Sequence, residues 1–360
     1  MILLHIANTR QFQKEPILVK CARCYAPRDI RIVESPDPEP LDHEFLLAVA
    51  AVSICPSDHH IYREGHSSGV YPDHEMILGH EFSGTVVRAA KNGSGPREGT
   101  RVAVEPAWHC GYCDLCKRGL VNICRNVIFP SYPNRDGALA EYIACPSFSA
   151  TVLPDDVSFV AGALAEPLGV AIHAVRHARP GFGDVVAVLG VGVIGTAIVE
   201  LCRNAGVRRI LVVDPDGSRH AVPLALGAHK AYARVEELVE EFGGTELGPS
   251  LVFDVTNAQE SFGEAVEACE PGGKVIVITI PPHDHAELKA STARRKELDI
   301  QFSRRSRHTL EEAVRLIAEG RVHPESWPQK EFTLDEAAAA LECSIAPPPG
   351  VLRTIVRVGA

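Results

Sequence analysis

The sequence predicts an α/β chain of two domains, the first β-rich and irregular, the second a doubly wound parallel sheet. Three observations predict it. At 360 residues the chain exceeds what one hydrophobic core ordinarily holds. From about Pro16 to Ala150 short β-rich runs are separated by Pro, Gly and Asp clusters. From about Asp184 apolar strands alternate with helical stretches, the pattern of a parallel sheet covered on both faces.

The elements follow in order. The first 19 or so residues form an extension to which no role is assigned. Residues 45–52 and 81–87 are strands of a largely antiparallel first domain. Cys21 and Cys24 sit where its first strand should run, so their side chains point to opposite faces and are ordinary strand cysteines. Residues 185–189, 209–213, 251–255 and 274–280 are the parallel strands, and the charge run Glu236 to Glu241 is a solvated helix face. A strand at 298–302, helices at 310–319 and 334–342 and a last strand at 352–358 complete the chain. Cys145, Cys202, Cys269 and Cys343 read as small core residues, and His173 as a packed histidine.

Composition narrows the function. Hydrophobic residues at 46% and charged residues at 23% suit two packed cores rather than disorder. A net charge of −10 offers no basic field for a phosphate backbone, so no nucleic-acid partner is expected. The first ten residues lack a basic segment and a cleavage site, so no signal peptide is expected. No apolar run approaches the roughly 20 residues that span a bilayer. Several of the eleven cysteines cluster at metal-ligand spacing, which argues against a secreted disulfide framework and for the cytoplasm.

Three constellations carry chemistry. Cys110, Cys113, Cys116 and Cys124 can close around one tetrahedral Zn²⁺ with no open position, which makes the site structural. Gly190-Val-Gly192-Val193-Ile194-Gly195 follows a strand and opens a helix, with Asp214 at the next strand end, 24 positions after Gly190. In this fingerprint the helix N-terminus faces a pyrophosphate, and Asp214 binds ribose hydroxyls and repels a 2′-phosphate, selecting NAD over NADP. Arg219 lies close enough to complicate that choice. The third constellation is dispersed: Cys55, His80, and one or both of Glu81 and Glu166 supply the three protein ligands that a catalytic zinc needs. Each is unremarkable alone, and their value comes from occurring together.

With these motifs the chain resembles the zinc-containing medium-chain dehydrogenase/reductases, the alcohol dehydrogenase superfamily, nearest the sorbitol, butanediol and threonine dehydrogenase branch. The resemblance runs from about Lys20 to Val358. It is carried by Cys55-x-Ser57-Asp58-x-His60, Leu78-Gly79-His80-Glu81-Phe-Ser-Gly84, the four-cysteine lobe, Gly137-Ala-Leu-Ala-Glu-Tyr142, Leu164-Ala-Glu166-Pro-Leu168 and the nucleotide fingerprint. It implies a GroES-like catalytic domain at 1–169 with a zinc lobe at about 105–130, a Rossmann domain at 170–309, and a return segment of the catalytic domain at 310–360.

The resemblance also implies roles. Cys55 and His80 fall on zinc ligands, and Glu81 and Glu166 on positions that serve as ligand, exchangeable ligand or water partner. Ser57 falls on the hydroxyl that bonds the substrate oxygen, His60 on the histidine of a proton relay, and Asp58 on the carboxylate that orients His80. Arg304 aligns where a side chain reaches cofactor or substrate. The implied cofactors are two Zn²⁺ per chain and NAD(H), and the implied reaction is hydride transfer between NAD(H) and a secondary alcohol or ketone, a polyol, sugar alcohol or vicinal diol. An amino alcohol, as in threonine 3-dehydrogenase, is the competing substrate class. A non-catalytic zinc-stabilised dinucleotide-binding scaffold is the competing reading outside enzymes. A homodimer or homotetramer is implied through the last sheet strand. Pro56 stands where the family has glycine and Thr256-Asn257 where it often has Ser-Gly. Residues 61–76 and 127–136, which match no substrate, are where specificity is expected.

Overall fold

The computed structural model describes residues 18–66, 74–133, 135–243, 248–279 and 285–359. The N-terminal extension up to residue 17, the centre of the first specificity segment at 67–73, and the last residue of the predicted 274–280 strand lie outside them; residues 278–279 are described and the strand stops short of them, at Val277.

The chain opens with strands β1 (Leu18–Ala26), β2 (Asp29–Pro36) and β3 (Glu44–Ser53), then helix α1 (Pro56–Glu64). Strands β4 (Met76–Ile77), β5 (Glu81–Arg88) and β6 (Arg101–Val104), helix α2 (Asp114–Lys117), and strands β7 (Tyr142–Pro146) and β8 (Ala150–Val152) follow. Cys21 and Cys24 are both buried on β1, as strand cysteines.

Helix α3 (Phe159–Ala178) then leads into the parallel unit: β9 (Val185–Leu189), α4 (Val193–Asn204), β10 (Arg209–Val213), α5 (Ala221–Leu226), β11 (Lys230–Tyr232), α6 (Val235–Glu241) and β12 (Leu251–Asp254). It continues with α7 (Ser261–Ala268), β13 (Lys274–Val277), α8 (Ala290–Lys296) and β14 (Asp299–Phe302). Helix α9 (Leu310–Ala318), β15 (Gln329–Thr333), α10 (Ala337–Ile345) and β16 (Arg353–Arg357) end the chain.

The parallel sheet runs β11-β10-β9-β12-β13-β14, so strand order reverses between β9 and β12. In such a sheet ligands bind beyond the carboxyl ends of the strands at that reversal. The other large sheet runs β15-β16-β3-β5-β6-β8, with β7 also on β3. Its first two strands come from the end of the chain, so the β-rich unit is assembled from both termini around the parallel one.

Helix α3 joins the units. Ser158 caps its N-terminus by accepting from Ala161 N at 3.1 Å. It packs on β3, β5 and β6 on one side and on α4, α9 and β13 on the other. It is long and apolar enough to cross a membrane, yet most of it is buried as a core helix. The boundary at 169/170 falls inside this helix, because one apolar helix serves both cores.

The charge run Glu236 to Glu241 is not only a solvated face. Glu241 at the end of α6 accepts from Arg209 at 2.6 Å, from Tyr232 Oη at 2.6 Å and from Lys230. The two hydrogen-bonded cations and the Tyr232 hydroxyl hold its carboxyl down at about 2.

Asp254, buried at the end of β12, moves the other way. Burial pushes its pKa up to about 6, against bonds from Ser261 Oγ at 3.1 Å and Thr256 N at 3.3 Å. The unfolded value is about 3.9, so between the two the native chain binds the extra proton and stability falls as pH rises. Asp254→Asn is expected to flatten the thermal midpoint across about pH 4 to 6. Equal slopes in variant and parent would assign the titration to another group.

Candidate active site

The nucleotide end is built on β9. Its strand stops at Gly190, whose φ of +92° is open to glycine and strained for other residues. A Cβ on Gly195 would lie 2.0 Å from Gly190 O, so the third glycine is what lets α4 pack against the loop. Gly192 caps α4 without a side chain and has open space before it. The N–H groups of Val193, Ile194 and Gly195 belong to the first turn, which has no acceptors within its own helix, and so face an anion-binding position.

Asp214 is buried and accepts from Val191 N and Asp216 N, both at 2.9 Å, which ties the end of β10 to the glycine loop. Each carboxylate oxygen keeps a lone pair for a ribose hydroxyl. Arg219 lies with Nε 3.2 Å from Asp216 Oδ2, so a carboxylate already answers its charge.

The other end assembles from separate elements. Cys55 is the N-cap of α1, His80 ends the β4–β5 loop, and Glu81 begins β5. Their Cys Sγ, imidazole nitrogen and carboxylate oxygen all lie within 4.8 Å of one another. Asp58 organises them. It is fully buried, accepts from Cys55 N at 3.0 Å, Gly79 N at 3.1 Å and Ser131 Oγ at 2.5 Å, and its Oδ1 is 3.4 Å from His80 Nδ1. Burial opposes its charge, but His80, Ser131 and the Cys55 N–H hold its carboxyl below the ordinary value.

These donors fit a zinc ion. Burial opposes a proton on His80, yet the Asp58 and Cys55 charges raise its pKa well above the usual value. The field that favours that proton would equally favour a metal cation. Glu81 Oε2 is buried without a hydrogen bond, a free oxygen beside the thiol and imidazole. Glu166, in the middle of α3 before Pro167, lies outside the group of three. Burial first, and Glu81 second, push it up to about 8.

Ser57 is half-buried on the first turn of α1, and His60 lies one turn along the same face. The His60 side chain is 40% exposed with Nδ1 3.6 Å from Glu64 Oε1, so the face that begins beside the ligand cluster ends at solvent.

Four groups had no readable signal. Arg353, buried on β16, donates to Ile54 O at 2.7 Å and places Nη2 3.5 Å from Glu81 Oε1. It reaches Glu81 only through the pairing of β16 with β3. Phe129 lies against His80 with ring centroids 5.0 Å apart, and the Arg305 guanidinium lies over Phe129, 4.5 Å from its centroid. Arg304, the predicted residue, instead leaves its side chain exposed and accepts from Asn122 Nδ2 at its carbonyl, 2.9 Å away. A left-handed backbone at Arg305, φ 56°, turns that neighbour toward the cluster. Burial, with Arg304 close by, pulls the Arg305 pKa down to about 10. His59, also unforeseen, holds Nε2 3.2 Å from Ser344 Oγ and links α1 to α10. His173 pairs with His177 across 3.3 Å, a packed pair at the far end of α3.

In the lobe the sulfurs of Cys110 and Cys124 are 3.5 Å apart, Cys113 and Cys124 3.9 Å, and Cys110 and Cys116 4.0 Å. Four sulfurs about 2.3 Å from one zinc would stand about 3.8 Å from each other. Some desolvation opposes charge on Cys110, but N–H groups of Tyr112 and Cys113 bring it down to about 6, so a thiolate is ready for metal.

The chain is similar to known proteins. Residues 41–155 match the alcohol dehydrogenase GroES-like domain, and residues 193–319 match the zinc-binding dehydrogenase domain. The chain is 29% identical to sorbitol dehydrogenase of Bacillus subtilis, over 91% of this chain and 94% of that one. It is 31% identical to L-arabinitol 4-dehydrogenase of Aureobasidium melanogenum, over 87% of each. A putative zinc-binding dehydrogenase of Sinorhizobium meliloti solved with NADP superposes with a TM-score of 0.86 at 27% identity, over 95% of this chain and 99% of that one. Matching both domain models in order, and sharing this identity over nearly its full length, the chain belongs to the zinc-binding alcohol dehydrogenase family, as an oxidoreductase acting on CH–OH groups.

Proposed function

We propose that the chain transfers hydride between NAD(H) and a secondary alcohol or ketone of a polyol, sugar alcohol or vicinal diol. The observation that carries this reading is the convergence of Cys55, His80 and Glu81 beside Phe129, which Arg305 reaches from the carboxyl end of the parallel sheet. Bound there, zinc would polarise the substrate hydroxyl and the nicotinamide would carry the hydride.

The chain's own groups do the rest. Cys55 and His80 hold the metal with Glu81 or Glu166, and Asp58 fixes the His80 ring. Ser57 takes the proton of the substrate hydroxyl as it gives up its own, and His60, one turn along the same face of α1, relays the released proton to solvent. The Arg305 guanidinium donates to a second oxygen further along the substrate, which favours a polyhydroxylated chain over a simple alcohol. The Gly190 loop and the first turn of α4 bind the pyrophosphate, and Asp214 takes the ribose hydroxyls.

With Arg219 turned to Asp216, Asp214 is left to repel a 2′-phosphate, so NAD⁺ should outperform NADP⁺ in kcat/KM. Asp214→Ala should narrow that ratio, and an NADP⁺ preference in the parent would overturn the assignment. Strand β14 forms the outer edge of the parallel sheet with Phe302 68% exposed, and pairing there would make a homodimer or homotetramer in the cytoplasm. Light scattering that finds only monomer would reject the assembly.

The deciding assay follows NADH absorbance with zinc-loaded protein against polyols, vicinal diols and threonine. Turnover of a polyol or diol that a chelator abolishes is expected. Turnover of threonine alone would move the substrate to the amino alcohols, and no turnover with only the lobe zinc present would leave a scaffold.

A further inference from the structure

Arg305 reaches the ligand cluster from a strap, residues 303–309, that joins β14 to α9. Arg305 and His308 within it both take left-handed backbone, φ 56° and 52°, which non-glycine residues hold only when their surroundings impose it. The surroundings are visible. Ser303 N donates to Val277 O at 2.8 Å, an anchor within the parallel sheet. The other anchors come from α3 and the β-rich unit. Arg176 on α3 donates to the carbonyls of Arg307 and His308, both at 3.3 Å. Thr309 Oγ1 donates to Gly169 O at 2.8 Å, and Ser306 Oγ donates to Glu105 Oε2 at 2.7 Å. Asn122 Nδ2 donates to Arg304 O at 2.9 Å.

The last contact acts directly on Arg305. Arg304 O belongs to the peptide that joins Arg304 to Arg305, so the bond from Asn122 fixes the plane from which the Arg305 Cα turns. Asn122 is 6% exposed and stands on a single helical turn at Val121–Ile123, two residues before Cys124. The Cys124 sulfur is one of the four in the lobe. One short path therefore runs from the four-cysteine lobe through Asn122 and the Arg304 carbonyl to a guanidinium 4.5 Å from the ring that covers His80.

We propose that Asn122 is a positioning residue for Arg305: it fixes the Arg304–Arg305 peptide from the four-cysteine lobe and so sets how the guanidinium meets the substrate. The consequence for catalysis rests on the polyol reading above, whereas the consequence for the arginine's placement does not. The lobe then has a second task besides its own folding, which is tuning substrate affinity without touching substrate.

The test is a double-mutant cycle on zinc-loaded protein with Asn122→Ala, Asn122→Asp and Arg305→Ala. Asn122→Asp keeps the shape but sets a carboxylate against the carbonyl, which guards against a mere cavity effect. Either Asn122 variant should raise the polyol KM about tenfold with kcat within about twofold and zinc content unchanged. In an Arg305→Ala background the same change should add nothing, since the partner it acts through is gone. Phenylglyoxal labelling mapped by mass spectrometry gives a readout free of turnover: Asn122→Ala should speed modification of Arg305 and leave other arginines as before. If the parent turns over no polyol, the substrate reading fails while the labelling still decides this inference. Additive KM effects, an unchanged labelling rate, or loss of zinc together with kcat would overturn it.

Discussion

Cys55→Ser is expected to cut turnover by about three orders of magnitude while NADH affinity stays within about twofold, because roughly 4 kcal/mol of charge stabilisation leaves with the catalytic metal. Serine preserves the volume and the N-cap of α1, and the bond from the residue 55 N–H to Asp58 survives. What disappears is the thiolate, and a serine hydroxyl is a poor zinc donor at neutral pH. The Gly190 loop belongs to the parallel unit, so nucleotide binding has no reason to fall. Metal analysis should show about one zinc per chain instead of about two. A near-normal rate in this variant would remove the cluster from the chemistry.

Cys110→Ser should have the largest effect on folding. Helix α2 buries none of its residues, and Tyr112 is 67% exposed, so little apolar packing orders the lobe. Structural zinc in small folds contributes about 10–16 kcal/mol of apparent binding energy. Without it, amide exchange across 110–124 should rise to that of open chain and the thermal midpoint should fall by several degrees. The Asn122 bond would go with the lobe, so the polyol KM should rise as well. Unchanged protection at these amides would show that the sulfurs are not what organises the segment.

What could be read from sequence was what the chain writes contiguously. The cysteine spacing, the glycine fingerprint and the period of the parallel strands each depend on neighbours a few residues apart, and each appears where expected. Arg353, Phe129 and Arg305 depend on strands and turns brought together from distant stretches, which leave no local pattern. Arg304 and Arg305 illustrate the limit: Arg304 is exposed while Arg305, with a left-handed φ, lies over Phe129, and nothing in the sequence distinguishes two adjacent arginines. Glu81 and Glu166 could not be ranked for the same reason, since burial beside Arg353 is a property of packing. Pro167 is a different case. Proline ordinarily interrupts a helix, yet here the 20-residue α3 runs on past it to Ala178, with packing on both sides.

The pairing of β16 with β3 fixes a schedule for biosynthesis. Arg353, whose guanidinium meets the Glu81 carboxylate, leaves the ribosome long after its partner Ile54, whose carbonyl lies 299 residues earlier. The parallel unit holds all its strands before that point and can fold during translation. The Glu81 carboxylate gains its buried arginine only once β16 has emerged and paired with β3, so a nascent chain that stops short of β16 could form the parallel sheet before that ion pair exists.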